Sequence, residues 1–167
     1  MIEILPAITV PDGYWTGIWA KFVKDGTAET VFCDGEIADA EAFASMMNYV
    51  FVHPHIILYN GALAAVVWLT DFEGKVCRGH FVVSRQFWGK SRHIGSAMRQ
   101  WLLEQKDSSG NFFFDVLVGM IPASNRPAVN VAIKAGFRHS GTIPNGAWIA
   151  KESRSVDMVL LTATRED

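Results

Sequence analysis

The stretch FWGKSRHIGSAMRQWL, Phe87 to Leu102, changes character halfway along. Its first nine positions carry two glycines, a lysine, an arginine and a histidine. Its second half is a regular apolar stripe of Ile94, Ala97, Met98, Trp101 and Leu102. That spacing predicts a helix over 94–105 with one buried face. The segment before it reads as a glycine-punctuated basic loop. Glycine lets backbone N–H groups approach a ligand, and the first N–H groups of a helix have no internal partner and carry partial positive charge. Such a junction can seat a phosphate, with Lys90, Arg92 and Arg99 adding charge-assisted contacts.

The surroundings support a ligand site. Between Glu73 and Glu104 there is no acidic residue, while Lys75, Arg78, Arg85, Lys90, Arg92 and Arg99 fall inside the interval. On a chain of net charge −2 this points to a compact anionic ligand and away from bulk nucleic-acid binding. With 167 residues and 50% hydrophobic composition, one domain over 1–167 with a full core is expected. The apolar run Gly61 to Leu69 is far short of the ~20 residues that span a bilayer. Glu3 and Pro6 close behind Met1 do not resemble a secretory leader. Cys33 and Cys77 lack metal or disulfide spacing, which suits a reducing cytoplasm. No sequence pattern specifies an oligomer.

Outward from the opening stretch, the elements alternate. Met1–Leu5 reads as a short strand. Tyr14–Lys24 reads as a helix from Trp15, Ile18, Trp19 and Phe22. Asp39 caps a second helix to Val50. The Asn60-Gly61 pair between apolar runs 55–59 and 62–70 signals a hairpin. Asp71–Gly74 is a second turn before a strand over 76–84, giving a three-strand meander. Beyond the 94–105 helix, 112–121 is an apolar run that suits a strand buried on both faces. A helix follows over 125–135, with Pro127 in its first turn and Gly136 just past its end. Strands 147–150 and 156–162 close the chain, with 141–146 a loop. The expected class is α/β (α+β): a mixed, mostly antiparallel sheet flanked by helices. The meander leads into a strand–helix–strand unit, whose first junction holds the basic loop. Open α/β sheets bind ligands at such strand ends.

Two motifs in this order resemble the GNAT superfamily, the Gcn5-related N-acetyltransferases. Arg92-His93-Ile94-Gly95-Ser96-Ala97 fits the family's acyl-CoA loop, Gln/Arg-x-x-Gly-x-Gly/Ala. Phe87-Trp88-Gly89-Lys90 is similar to the Tyr-Trp-Gly-Lys of ribosomal-protein-acetylating members. Asn125-Arg126-Pro127-Ala128 followed by Gly136-Phe137 matches the family's Asn-x-x-Ala/Ser helix. The resemblance covers about 54–161. It implies acetyl-CoA as co-substrate, no metal, and direct acetyl transfer to an amine on a small molecule or a protein N-terminus. Phe81, Val82 and Val83 would offer backbone groups to the pantetheine arm. Gly89, Lys90, Ser91, Arg92, His93, Ile94, Gly95 and Ser96 would hold the pyrophosphate. Asn125 would lie near the acyl end.

The departures are specific. Taking the apolar stripe as the guide places His93 where the loop's first glycine is usual, with two residues inserted before it. The family's tyrosine acid position is Ala132, and its glutamate base position is Met120. His80 is then the candidate base, against the plainer reading of a histidine satisfied on a sheet face. His53 and His55 lack a third metal ligand. Asp115, in an apolar run, reads first as a buried carboxylate anchored by hydrogen bonds and second as an acid–base candidate. Trp15, Trp19 and Trp148 line either an acceptor cleft or the core. The missing Tyr and Glu leave a second reading open: a catalytically degenerate GNAT-fold protein serving binding or assembly, for instance a phage-encoded one. A phosphate-ligand sensor is a third.

Overall fold

The computed structural model describes residues 1–7, 10, 11 and 13–166. Its strands are β1 (Ile2–Pro6), β2 (His53–Tyr59), β3 (Ala62–Glu73), β4 (Val76–Val83), β5 (Val116–Pro122), β6 (Arg138–Ile149) and β7 (Arg154–Thr164). Its α-helices are α1 (Tyr14–Asp25), α2 (Ala28–Val31), α3 (Ala40–Met47), α4 (Ser91–Glu104) and α5 (Arg126–Lys134). The strands form one sheet in the order β1-β2-β3-β4-β5-β7-β6. Every pairing is antiparallel except β4 with β5. The mixed, mostly antiparallel sheet flanked by helices is the architecture expected.

Local chemistry explains the meander. Asn60 and Gly61 both take positive φ, 51° and 78°, as a two-residue hairpin turn between β2 and β3 requires. Asp39 caps α3 by accepting from the Ala42 N–H at 2.8 Å, though the helix ends at Met47 and leaves Val50 exposed.

Two cores sandwich the sheet. Along β3, Ala65, Val67 and Leu69 join Ile94, Met98, Leu102 and Leu117 on the α4 side. Val66 and Trp68 join Trp15, Trp19, Phe22, Phe43 and Val82 on the α1–α3 side. This is the period of two expected of a strand covered on both faces. Trp15 and Trp19 therefore belong to the core, while Trp148 is exposed on the edge strand β6.

Three expectations are corrected. The run 112–121 becomes a strand only from Val116; before it, Phe112 makes an isolated bridge to Lys106 and Phe113 N–H donates to Gln105 O. Asp115 is consequently only partly buried, at the strand's mouth, where it pairs with Arg165 at 2.5 Å. Residues 141–146 are not a loop but part of β6, which pairs with β7 through two register shifts. Pro144 and the glycines are tolerated there because β6 is an edge strand with bulges.

Candidate active site

The parallel pairing of β4 and β5 is brief: Val76 with Val116, Cys77 with Leu117, Arg78 with Val118. Beyond it the strands part, because β5 keeps its register with β7 all the way from Val116 to Pro122. The result is a slot between Gly79–Val83 and Gly119–Pro122, with a volume of about 560 Å³. On one face of the sheet it is walled by α4 (Ser91, Gly95, Met98) and α5 (Ala128, Val131, Ala132). On the other it is walled by Gly26, Thr27, Thr30 and Val31. The slot thus opens through the sheet from one layer of helices to the other.

Two features suit it to holding a ligand. The edge of β4 that faces the slot has lost its strand partner, and unpaired backbone groups need partners. Val83 O is already taken by the Trp88 indole N–H at 3.1 Å. The antiparallel pairing of His80 and Val82 with β3 turns their backbone groups away, which leaves Gly79 and Phe81 facing the slot. Secondly, α5 contains no fully buried residue; its apolar residues Ala128, Val131 and Ala132 border the cleft instead of a filled core. A volume in the range of ~300–1,000 Å³ with mostly apolar walls is typical of small-molecule sites.

The basic stretch takes a different form from the loop expected. Arg85–Lys90 is a 3-10 helix, and α4 begins at Ser91, three residues earlier than the stripe alone suggested. The Arg92–Ala97 motif match is therefore helical throughout. The stripe sets the register, because burying Ile94, Met98 and Leu102 is worth ~1.5–3 kcal/mol each, more than the ~0.3–1 kcal/mol of a charge at a helix end. Ile94 is fully buried in the core, and its side chain is remote in role from any phosphate. Ser91 is buried and lines the cleft, its hydroxyl donating to Trp88 O at 2.8 Å. Gly89, Lys90, Arg92 and His93 are exposed around the start of α4, with the His93 ring 6.3 Å from that of Tyr59. Ser96 turns away and donates to Ala135 O at 3.3 Å.

Gly95 lines the cleft for a packing reason. A Cβ there would lie 3.0 Å from the Ala135 Cβ, so the glycine lets α4 close on the end of α5. Phe81, Val82 and Val83 border the slot, with Val82 and Val83 side chains buried. Asn125 lies at the opposite rim and caps α5, accepting from Ala128 N–H at 3.3 Å. The structure thus gathers His80, Phe81, Val82, Val83, Ser91, Gly95 and Asn125 along one cleft. Thr27, Thr30 and Val31 escaped sequence reading, because α2 is a single turn too short to show a period.

The acid-free interval does not make one basic surface. Arg78 pairs with Asp71 at 3.7 Å. Arg99 donates to Thr164 O at 3.4 Å and lies against Gly136, not near the start of α4. Arg85 stands 5.6 Å from the Trp88 ring centroid. This leaves Arg85, Lys90 and Arg92 near the start of α4.

His80 is the one titratable side chain among the described residues that line the cleft. Its position on β4 puts it on the face shared with Val82 and Trp68. The imidazole lies flat on the Trp68 indole, with centroids 5.2 Å apart and planes 1° apart. Burial first, then the Arg78 charge, push its pKa down to about 4, against an upward pull from Asp71. It is neutral at pH 7. Met120 and Ala132 both line the cleft and bring no proton chemistry. His53 and His55 are occupied separately: His53 against Phe72 at 4.5 Å, His55 against Trp101 at 5.3 Å. Among the described residues there is no cluster of three or more His, Cys, Asp or Glu able to hold a metal, and no helix long and apolar enough to cross a membrane.

The fold as a whole superposes on solved acetyltransferase structures. A spermidine N-acetyltransferase from Vibrio cholerae, solved with CoA and spermine, superposes with a TM-score of 0.75 at 10% identity, over 99% of this chain and 96% of that one. The chain has the GNAT fold. A GNAT-family acetyltransferase from Streptococcus pneumoniae gives a TM-score of 0.65 at 18% identity, over 97% of this chain and 99% of that one. The ribosomal-protein-S5-alanine acetyltransferase from Vibrio fischeri gives 0.69 at 10% identity, over 99% and 94%. In sequence, no family model matches the chain and no curated protein does.

Proposed function

We propose that the chain transfers an acetyl group from acetyl-CoA to an amine within the β4–β5 cleft. The observation that carries this reading is the β4 edge left without a strand partner at Gly79 and Phe81, lining a slot that opens through the sheet. A pantetheine arm carries amide groups that can pair with such an edge as a strand would. Its pyrophosphate would rest at the start of α4, near Lys90 and Arg92, where helix N–H groups and cations favour an anion. Asn125 and the end of β5 would border the acyl group. The acceptor would enter from the side of Thr27, Thr30 and Val31, so that the two substrates meet inside the sheet.

The chemistry asks little of the protein. The amine nitrogen attacks the thioester carbonyl, the C–N bond forms, the C–S bond breaks, and one proton passes from nitrogen to the departing sulfur. Positioning the two substrates supplies much of the rate. His80 is the cleft's own proton acceptor, since Met120 and Ala132 are inert. A neutral imidazole with a pKa of about 4 is a weak base toward an alkylammonium ion. It suits an amine that arrives uncharged. The apolar walls favour the same class, small neutral amines or an uncharged protein N-terminus, over polycations.

The inert Met120 and Ala132 also support a second reading, in which the cleft binds an acyl-CoA without turnover. One experiment separates the two. Acetyl-CoA should raise the melting temperature, and free thiol should appear with an amine panel that includes aryl, alkyl and peptide N-terminal amines. Binding without thiol release across that panel would favour the second reading. Absence of any thermal shift at millimolar acetyl-CoA would remove both.

A further inference from the structure

The His80 ring is held by more than its stack on Trp68. Thr70 Oγ1 lies 2.9 Å from His80 Nε2, and the same hydroxyl donates to Asp71 Oδ2 at 3.2 Å. Thr70 has a single hydroxyl proton. With that proton on the Asp71 carboxylate, the oxygen can only accept from the imidazole. Were the proton turned toward His80, the hydroxyl oxygen would face a carboxylate oxygen at 3.2 Å with no hydrogen between them. The contact therefore favours one tautomer, with the hydrogen on Nε2 and the lone pair on Nδ1.

The backbone is shaped for this contact. Successive strand residues point to opposite faces, so Thr70 and Asp71 would ordinarily diverge. The β3–β4 register shifts just after Thr70, and Asp71 takes a positive φ of 52°. A bulge of this kind re-aims a side chain, and here it brings the Asp71 carboxylate back to Thr70. Arg78 on β4, 3.7 Å from Asp71, completes the cluster. Arg78 and Asp71 are the charged groups that act on His80.

We infer that Asp71 and Thr70 are positioning residues that set His80 as the Nε2–H tautomer and leave its Nδ1 to accept the proton of the acceptor amine. This rests on the acetyl-transfer reading. The step balances: the neutral amine forms the C–N bond and yields its proton to Nδ1, the C–S bond breaks, and the imidazolium returns that proton to the thiolate. The products are an amide and a thiol.

The test begins without turnover. Long-range ¹H–¹⁵N spectra of the ¹⁵N-histidine-labelled protein at pH 7 should show His80 with a protonated Nε2 and an unprotonated Nδ1. Thr70→Val should convert that signal to a tautomer mixture, and Thr70→Ser should restore it. With an amine that the wild type acetylates, Thr70→Val should lower kcat by about 10- to 100-fold, less than the ~10²–10⁴-fold of a whole general-base contribution because His80 itself stays in place. KM should stay nearly unchanged, and Thr70→Ser should recover most of the rate. His80 found with its hydrogen on Nδ1, or a Thr70→Val protein with unchanged tautomer and kcat, would overturn the proposal. If the wild type acetylates no amine, the proposed function fails, while the tautomer assignment is still decided by the spectrum.

Discussion

Gly95 of α4 meets Ala135 at the end of α5 so closely that a Cβ on the glycine would lie 3.0 Å from the alanine's Cβ. A glycine that the sequence offered as a phosphate-loop residue thus sets the distance between the two helices that wall the cleft. Gly95→Val should overpack this contact and cost ~1–3 kcal/mol. For a domain of this size that lowers the melting temperature by roughly 2–4 °C per kcal/mol. Thermal unfolding of the variant checks it; an unchanged melting temperature would mean the helices do not close here.

Ala132 faces the cleft from α5. Ala132→Trp should fill the slot and abolish the acetyl-CoA thermal shift, while the far-UV spectrum of the protein stays the same. The comparison needs only melting curves with and without acetyl-CoA.

Lys90 and Arg92 are exposed beside the start of α4. Exposed charges are screened by salt, so Lys90→Ala and Arg92→Ala should each weaken acetyl-CoA about 3- to 10-fold at low ionic strength, and less at high. Calorimetric titration at two salt concentrations reads this directly.

Stability should fall on the acid side. Burial holds the pKa of both His55 and His80 down to about 4, against an ordinary value near 6.5. Between those values the unfolded chain binds protons that the folded chain refuses. The stabilisation is therefore complete above pH 6.5 and is lost as pH falls toward 4. At 1.36 kcal/mol per unit, each residue contributes on the order of 3 kcal/mol across that window. Urea unfolding at pH 7 and pH 5 should show the loss, and His55→Gln should reduce it.

Much of the fold was legible because its signals are local. Asn60-Gly61 declared the hairpin, Asp39 declared the start of α3, and the stripe from Ile94 to Leu102 declared α4. The start of α4 was harder, since Lys90 at its cap position makes no side-chain capping bond. The edge strand β6 was masked by Pro144 and its glycines, whose meaning depends on being at an edge. The site was legible in its parts but not in its shape. The slot exists because β5 follows β7 and abandons β4 after Arg78, a consequence of long-range pairing. The contact of Thr70 with His80 likewise depends on the β3–β4 register. Asp115, expected to be buried, marks the point where the apolar run enters the sheet.

The central claim is that the β4–β5 slot holds acetyl-CoA. The most direct measurement is a crystal structure of the chain grown or soaked with acetyl-CoA. The account predicts the pantetheine arm against the β4 edge at Gly79 and Phe81, the pyrophosphate at the start of α4, and the thioester between His80 and Asn125. Acetyl-CoA bound elsewhere, or a slot left empty at millimolar acetyl-CoA, would contradict it.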